Sequence, residues 1–473
     1  MQSAVVLPRR GAGRSLPAVA AIAMVLVVPG LARGGPTAAA CEAAVFDAAG
    51  WSAGDPQLEA LLAGLNANHS ALAAASERAG ALVYASERIA PLPDPRLTYR
   101  YFAQTPETRV GPQRMSVELS QGIPWRGKRE LEREAITREG DALRHDTAAQ
   151  RLELVAALKR AYYRVAFLQS ALRLNAEEIA LLERFEEIAL TRYATGQGIQ
   201  QSVLKVQTAI SRLQDRRSKL EQELRSHSLR VARLSGDAPE LVLERIELPA
   251  LPELPDLPGM TLAAHPASCA DGVRIDAARK VRSRRDLDGR PDFRVGLGWT
   301  QVDGRTLATG GSTLPSDNGK DIVALTFGVD LPIWKKPIRA GHAEADTRVR
   351  SLERTRRDTL DGLRLRARDA ATRIESLTER AALYRRVILP QAEESLASAE
   401  AAYSTDRQGF LDLLDAERVL YEVRLNDAEL RAEARIAAAE LEQALGRPWA
   451  VEPRTAEPGI AEPSVADGGL GHE

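Results

Sequence analysis

The chain of 473 residues is poor in the residues that usually mark a site. It holds two cysteines, Cys41 and Cys269, too few to imply a disulfide framework. Aromatic residues make up 4%, little for an enzyme built round a packed core. Formal net charge is −1 with both signs interspersed, so no overall field draws the chain to nucleic acid or anionic lipid. No stretch beyond the N-terminal region approaches about 18 consecutive apolar residues, which excludes a transmembrane helix there. Also missing are a phosphate-binding glycine loop, a nucleophile elbow, an HExxH pair and a CxxC pair. The histidines, His69, His145, His227, His265, His342 and His472, are scattered. These absences predict no enzyme, no cofactor and no resident metal.

What is present begins with an export pattern over residues 1–40. Arg9, Arg10 and Arg14 precede an apolar run from Ala18 to Val28, then small residues ending in TAAAC at Thr37 to Cys41. Two readings of Cys41 stay open, a plain unpaired cysteine and a site of N-terminal acylation.

The segment from Gln57 to Ala90 is Ala/Leu-rich and predicts a helix. After Pro91, Pro93 and Pro95 the pattern changes to period two. Leu97, Tyr99 and Tyr101 alternate with Arg96, Thr98 and Arg100. A polar loop carrying Pro106, Gly111 and Pro112 follows. Val117, Leu119 and Ile123 then alternate with Ser116, Glu118, Ser120 and Gly122. A hairpin over 96–123 with one apolar face is expected. A second falls over 292–331, with a loop from about Gln301 to Lys320. Phe293, Val295, Leu297 and Trp299 alternate with Arg294, Gly296, Gly298 and Thr300. Val323, Leu325, Phe327, Val329 and Leu331 alternate with Ala324, Thr326, Gly328 and Asp330. The second faces are small or polar, as if they lined water.

Each hairpin gives way to long helix. Residues 126–194 contain no proline and predict about 100 Å of helix at 1.5 Å per residue. After the break TGQG, a helix over 199–234 carries heptad rows, Val203, Ile210, Leu224 and Val231 beside Val206, Leu213, Leu220 and Leu234. The second half repeats this with helices over 339–403, a turn at STDRQG, and a helix over 410–445. Pro390 marks an expected break. Leu413, Leu420, Ala434 and Leu441 lie beside Ala416, Val423, Leu430 and Ala437. Corresponding features stand about 210 positions apart, the mark of an internal duplication. The repeats span 41–236 and 260–450. A Leu/Pro-rich linker, 237–259, is expected to drape over the surface, and 451–473 reads as a disordered tail.

Strands of eight to ten residues suit a transmembrane β-barrel. Four cannot close one, and an open edge in lipid leaves backbone groups unpaired. The chain must therefore assemble. Two copies would supply eight strands and a filled lumen. Three would supply twelve and an open channel, which the small and polar faces favour.

In order and spacing these features resemble the TolC-type outer-membrane efflux proteins. PDPRL leads into the first strand, IPWRGKR leaves the second hairpin strand, and YSTDRQGFLDLLDA, Tyr403 to Ala416, resembles the family's periplasmic turn. The resemblance implies a mainly α fold with a small β part. Long antiparallel coiled-coil helices would form a periplasmic tunnel, and four transmembrane strands per chain would close a 12-stranded barrel in a homotrimer. It implies the outer membrane of a Gram-negative bacterium, with most of the chain in the periplasm. Partners would be outer-membrane lipid, a periplasmic adaptor (membrane fusion protein) and an inner-membrane RND-type pump, with no nucleic acid. PDPRL and IPWRGKR are most similar to members serving heavy-metal pumps.

Roles follow for particular residues. Pro124 and Pro332 lack an N–H, so each stops a strand and suits a first helical turn. Trp125 and Trp334 suit the membrane–water boundary, with Arg126, Lys128, Arg129, Lys335, Lys336 and Arg339 reaching for headgroups. Asp412 and Asp415 would ring a periplasmic gate, with Arg407 a partner. Thr195, Gly196, Gly198, Ser202, Gly409 and Phe410 would form the tips that dock the adaptor. Ser202 stands where an aspartate is expected, so the first repeat's share in the gate is weaker. A competing reading is a periplasmic coiled-coil scaffold or adaptor without a pore.

Overall fold

A computed structural model of the chain describes residues 48–52, 54–236, 243–248, 262–305, 316–405 and 409–449. The export segment with Cys41, most of the 237–259 linker, Arg407 and the 451–473 tail lie outside the described residues.

The described chain is mainly helical with a small antiparallel sheet. Its elements run α1 (Ala48–Ser52), α2 (Pro56–Asn68), α3 (Ser70–Glu87), β1 (Arg96–Tyr101), β2 (Glu107–Thr108), β3 (Gly111–Ile123), α4 (Lys128–Ala194) and α5 (Gln200–Ser235). They continue as α6 (Pro266–Asp286), β4 (Asp292–Val302), β5 (Ile322–Asp330), α7 (Lys335–Leu383), α8 (Leu389–Ser404) and α9 (Phe410–Leu445). Among the described residues, no helix is long and apolar enough to cross a membrane.

Local chemistry sets the helix ends. Asp55 caps α2, its carboxylate accepting from the N–H groups of Gln57 and Leu58 at 2.9 and 3.1 Å. His69 and His265 cap α3 and α6 in the same way, each Nδ1 accepting from the N–H two residues on. These two stand 196 positions apart, whereas Gly236 and Gly446, the left-handed caps of α5 and α9, stand 210 apart. The offset is therefore not constant: the longer second hairpin loop lies between. Gly127 at φ 90° turns the chain from β3 into α4, a conformation that side chains with a Cβ resist.

The helix after β5 does not end at Pro390. One π turn, Tyr384–Ile388, joins α7 to α8, and the Leu389 N–H donates to the Tyr384 carbonyl five residues back. A wider turn admits a proline that a regular turn would expel.

α4 spans 67 residues, about 100 Å, and packs against α3, α5, α6 and α9. Apolar clusters follow one another along it. Leu58, Leu62 and Leu65 of α2 meet Leu158, Tyr162 and Val165. Next, Phe167, Leu168 and Ala171 meet Leu220, Leu425 and Ala428. At the far end Leu182 and Phe185 meet Val206, Ile210, Phe410 and Leu413. The described piece of the linker lies against α4, where Ile246 is buried and its N–H donates to Gln169 at 3.0 Å. Cys269 on α6 is buried and disulfide-bonded, although two cysteines implied no disulfide framework.

Candidate functional site: the sheet face, its exits and the coil tips

The sheet order is β1-β3-β4-β5, all antiparallel, with β2 capping β3. β3 is longer than expected: Gly111 and Pro112, assigned to the loop, pair with Thr108 and Glu107. Only glycine fits at 111, since a Cβ there would stand 1.8 Å from the Asp303 carbonyl oxygen.

Direct cross-strand partners share a face. Leu97, Leu119, Leu297 and Leu325 form one row across all four strands. The next rows are Tyr99, Val117, Trp299 and Val323 on one side, and Ile123, Phe293 and Val329 further along on the other. The opposite face reads Thr98, Glu118, Gly298 and Ala324, then Arg96, Ser120, Gly296 and Thr326. One face is thus mainly apolar, with Gln121 and Gln301 its polar positions, and it is bare. Relative exposures in the leucine row are 68, 52, 45 and 63%. A hairpin pair packed on its own helices would cover that row. The outer edges of β1 and β5 have no strand partner among the described residues.

The two exits from the sheet differ. At the first, Trp125 stacks on Phe293 at 6.1 Å, with the Arg290 guanidinium 5.7 Å from its ring centre. The Trp125 N–H donates to Asp292 at 2.6 Å. Lys128, expected to reach for headgroups, is buried, and its Nζ donates to Asp292 at 2.8 Å and to the Arg290 carbonyl at 3.1 Å. Its charge is spent tying the start of α4 to β4. Arg126 is exposed. At the second exit Ile333, Trp334 and Lys335 all stand exposed beyond Pro332. That exit follows β5, which has no strand neighbour on that side among the described residues.

At the coil tips, Gly196 adopts φ +75° and turns the chain back. Gly198 is needed for room, since a Cβ would stand 3.1–3.2 Å from Arg192 and Tyr193. Thr195 caps α4, its hydroxyl donating to the Thr191 and Arg192 carbonyls. Gly409, by contrast, has φ −73° and needs no glycine. Asp412 and Asp415 are exposed. Asp412 also accepts from the Gly409 N–H at 3.3 Å, which steadies the first turn of α9. Their expected partner, Arg407, lies outside the described residues.

Two expected docking residues are turned inward. Phe410 is buried, edge-on to Phe185 at 6.2 Å and Tyr403 at 5.6 Å, and Ser202 is buried as well. The large apolar side chains that do face outward at this end are Leu190, Tyr193, Ile199 and Leu204. Leu190 and Leu204 stand off the heptad rows, whereas Ile199 falls seven before Val206 and Tyr193 fourteen after Ile179, in register with them, so the pattern alone did not separate these four. Arg192 joins the two tips, lying 4.2 Å from the Tyr403 ring centre. Among the described residues no three His, Cys, Asp or Glu side chains group closely enough to hold a metal ion.

No protein-family model matches the chain, and no curated protein matches it. Solved structures do. The outer-membrane channel OprN is 18% identical, with 88% of this chain covering 96% of that one at a TM-score of 0.69. CusC, described for its transmembrane channel formation, is 17% identical, with coverage of 83 and 92% and a TM-score of 0.70. The outer-membrane protein VceC of Vibrio cholerae is 18% identical, with coverage of 84 and 98% and a TM-score of 0.69. At these identities the likeness is one of fold, and the chain has the TolC-type fold of these outer-membrane channels.

Proposed function

We propose that the chain is the outer-membrane channel of a tripartite efflux system, a passive exit duct for substrates delivered by an inner-membrane pump through a periplasmic adaptor. The bare apolar face of the sheet carries this reading. Nothing among the described residues covers that face, and lipid is the solvent that would. β5, at nine residues, has the length of a membrane strand. Tyr99, Tyr101 and Trp299 at one end, with Trp125 and Trp334 at the other, supply the two aromatic girdles such a barrel carries.

Three copies close the sheet into twelve strands and remove the edges of β1 and β5. The small and polar face then lines water, and the helices continue the lumen into the periplasm. Exposed Leu190, Tyr193, Ile199 and Leu204 give the adaptor an apolar tip to grip. No nucleotide-binding motif is present in the sequence, so the energy comes from the pump. The motif resemblance points to members serving heavy-metal pumps, while drugs and secreted proteins stay open as cargo, since a duct need not bind what it passes.

Reconstitution into a planar bilayer tests the reading. The purified protein should conduct ions in discrete steps. Asp412→Ala with Asp415→Ala should raise conductance severalfold, because three pairs of carboxylates leave the constriction. A protein that never conducts would sink the channel, and an unchanged conductance in the variant would sink the carboxylate gate.

A further inference from the structure

Between the apolar cluster at Phe167 and the one at Phe185, the contact of α4 with α9 becomes polar. Asn175 and Glu178 lie one turn apart on α4, and Glu417 and Tyr421 one turn apart on α9. All four are buried, with exposures of 0, 7, 3 and 6%. Three of their polar atoms have no hydrogen-bond partner among the described residues: Asn175 Oδ1, Glu417 Oε2 and Tyr421 Oη. Asn175 spends its amide on the Leu213 carbonyl of α5 at 3.2 Å. Glu178 and Glu417 approach each other in this layer, close enough for a carboxyl-to-carboxyl hydrogen bond to link them.

Two carboxylates cannot make that bond. A carboxylate only accepts, so one partner must carry a proton and donate it. Buried like charges in contact would otherwise push the helices apart. We infer that Glu178 and Glu417 share one proton and form a pH-sensitive latch that holds α4 to α9, joining the two repeats one polar layer above the tips.

The surroundings bear on the pair from three other directions. Arg424 of α9 favours the ionised forms, but its guanidinium is also engaged by Glu393 of α8 at 3.2 Å. Glu400 of α8 opposes ionisation of Glu417. Arg216 of α5 sits 5.6 Å from the Tyr421 ring centre. Burial, with the Glu417 contact, pushes the Glu178 carboxyl up to about 8. The sign follows. The joined helices hold a proton that separated, hydrated carboxyls release above about 4.5. The joined state therefore weakens as pH rises from about 4.5 to about 8, by at most about tenfold per pH unit, and levels off above. The latch is a property of the helix pair and stands whether or not the tip closes a pore.

Amide hydrogen exchange on the detergent-extracted full chain at pH 6 and pH 9, corrected for the intrinsic rate, tests it. Peptides covering 172–185 and 413–424 should lose protection at least tenfold at pH 9. Peptides around Leu158 should not. Glu178→Gln, whose amide donates at every pH, should hold protection at both. Glu417→Gln should do the same and serves if the first variant fails to fold. Equal protection of the native chain at both pH values would overturn the latch, as would an unchanged pH response in both variants. Restoration of protection at pH 9 by millimolar calcium would also overturn it, assigning the layer to a cation.

Discussion

Leu325→Arg should remove the chain from the outer-membrane fraction, and Ala324→Arg should leave it there. The two residues are neighbours on β5, and both are exposed in the single chain. Only their faces differ. Leu325 belongs to the four-leucine row with Leu297, and Ala324 pairs with Gly298 on the small and polar face. In a soluble sheet the two arginines would cost about the same. In a barrel, arginine at the lipid-facing midplane costs about 2–4 kcal/mol, while arginine on the water-lined face costs little. With three copies the penalty is taken three times per particle. Membrane fractionation and heat-modifiable mobility on gels read the result. Equal behaviour of the two variants would mean that lipid does not cover the apolar face.

The second large effect is expected at Lys159. Its ammonium is 2% exposed, paired with Glu442 of α9 and lying 5.5 Å from the Trp51 ring centre. Burial pulls its pKa down, and Glu442 opposes that pull. The Trp449 N–H also donates to Glu442 at 3.1 Å, and Arg435, itself buried, adds charge nearby. Lys159→Met removes the partner and leaves a carboxylate out of water. Breaking a buried pair from one side costs about 3–5 kcal/mol. Thermal unfolding of the extracted protein should show a clear fall in midpoint. Lys159→Met with Glu442→Leu should recover part of it, because the stranded carboxylate is gone although buried Arg435 loses that acid. Failure of the double variant to recover would assign the loss to packing rather than to the stranded charge.

Much of this architecture was legible in sequence, for identifiable reasons. Side chains on a strand alternate, so Leu97, Leu119, Leu297 and Leu325 declared a common apolar face before any pairing was known. The heptad rows through Val206 and Leu413 likewise named buried positions, because a coiled-coil seam repeats within a few turns. What stayed hidden depends on residues far apart in the chain. Lys128 read as a headgroup contact, since nothing near it suggested an acid, yet folding brings Asp292 to it across 164 positions. The β3–β4 pairing joins the two hairpins, and neither hairpin's own pattern specifies it. Pro390 read as a break because a π turn leaves no compositional mark. Phe410 read as a docking residue because it stands at a tip, although Phe185 and Tyr403 enclose it. At the tips, position along the chain was legible and the direction of each side chain was not.

In the proposed assembly, three copies bring twelve strands into one barrel. The measurement that tests it most directly is the mass of the protein extracted in mild detergent from an outer-membrane fraction, with the bound detergent subtracted. Three chains per particle, about 154 kDa for this 51.4 kDa chain and less if the expected export segment is removed, is the predicted result. A soluble monomer or dimer would contradict the barrel and return the hairpins to a coiled-coil scaffold.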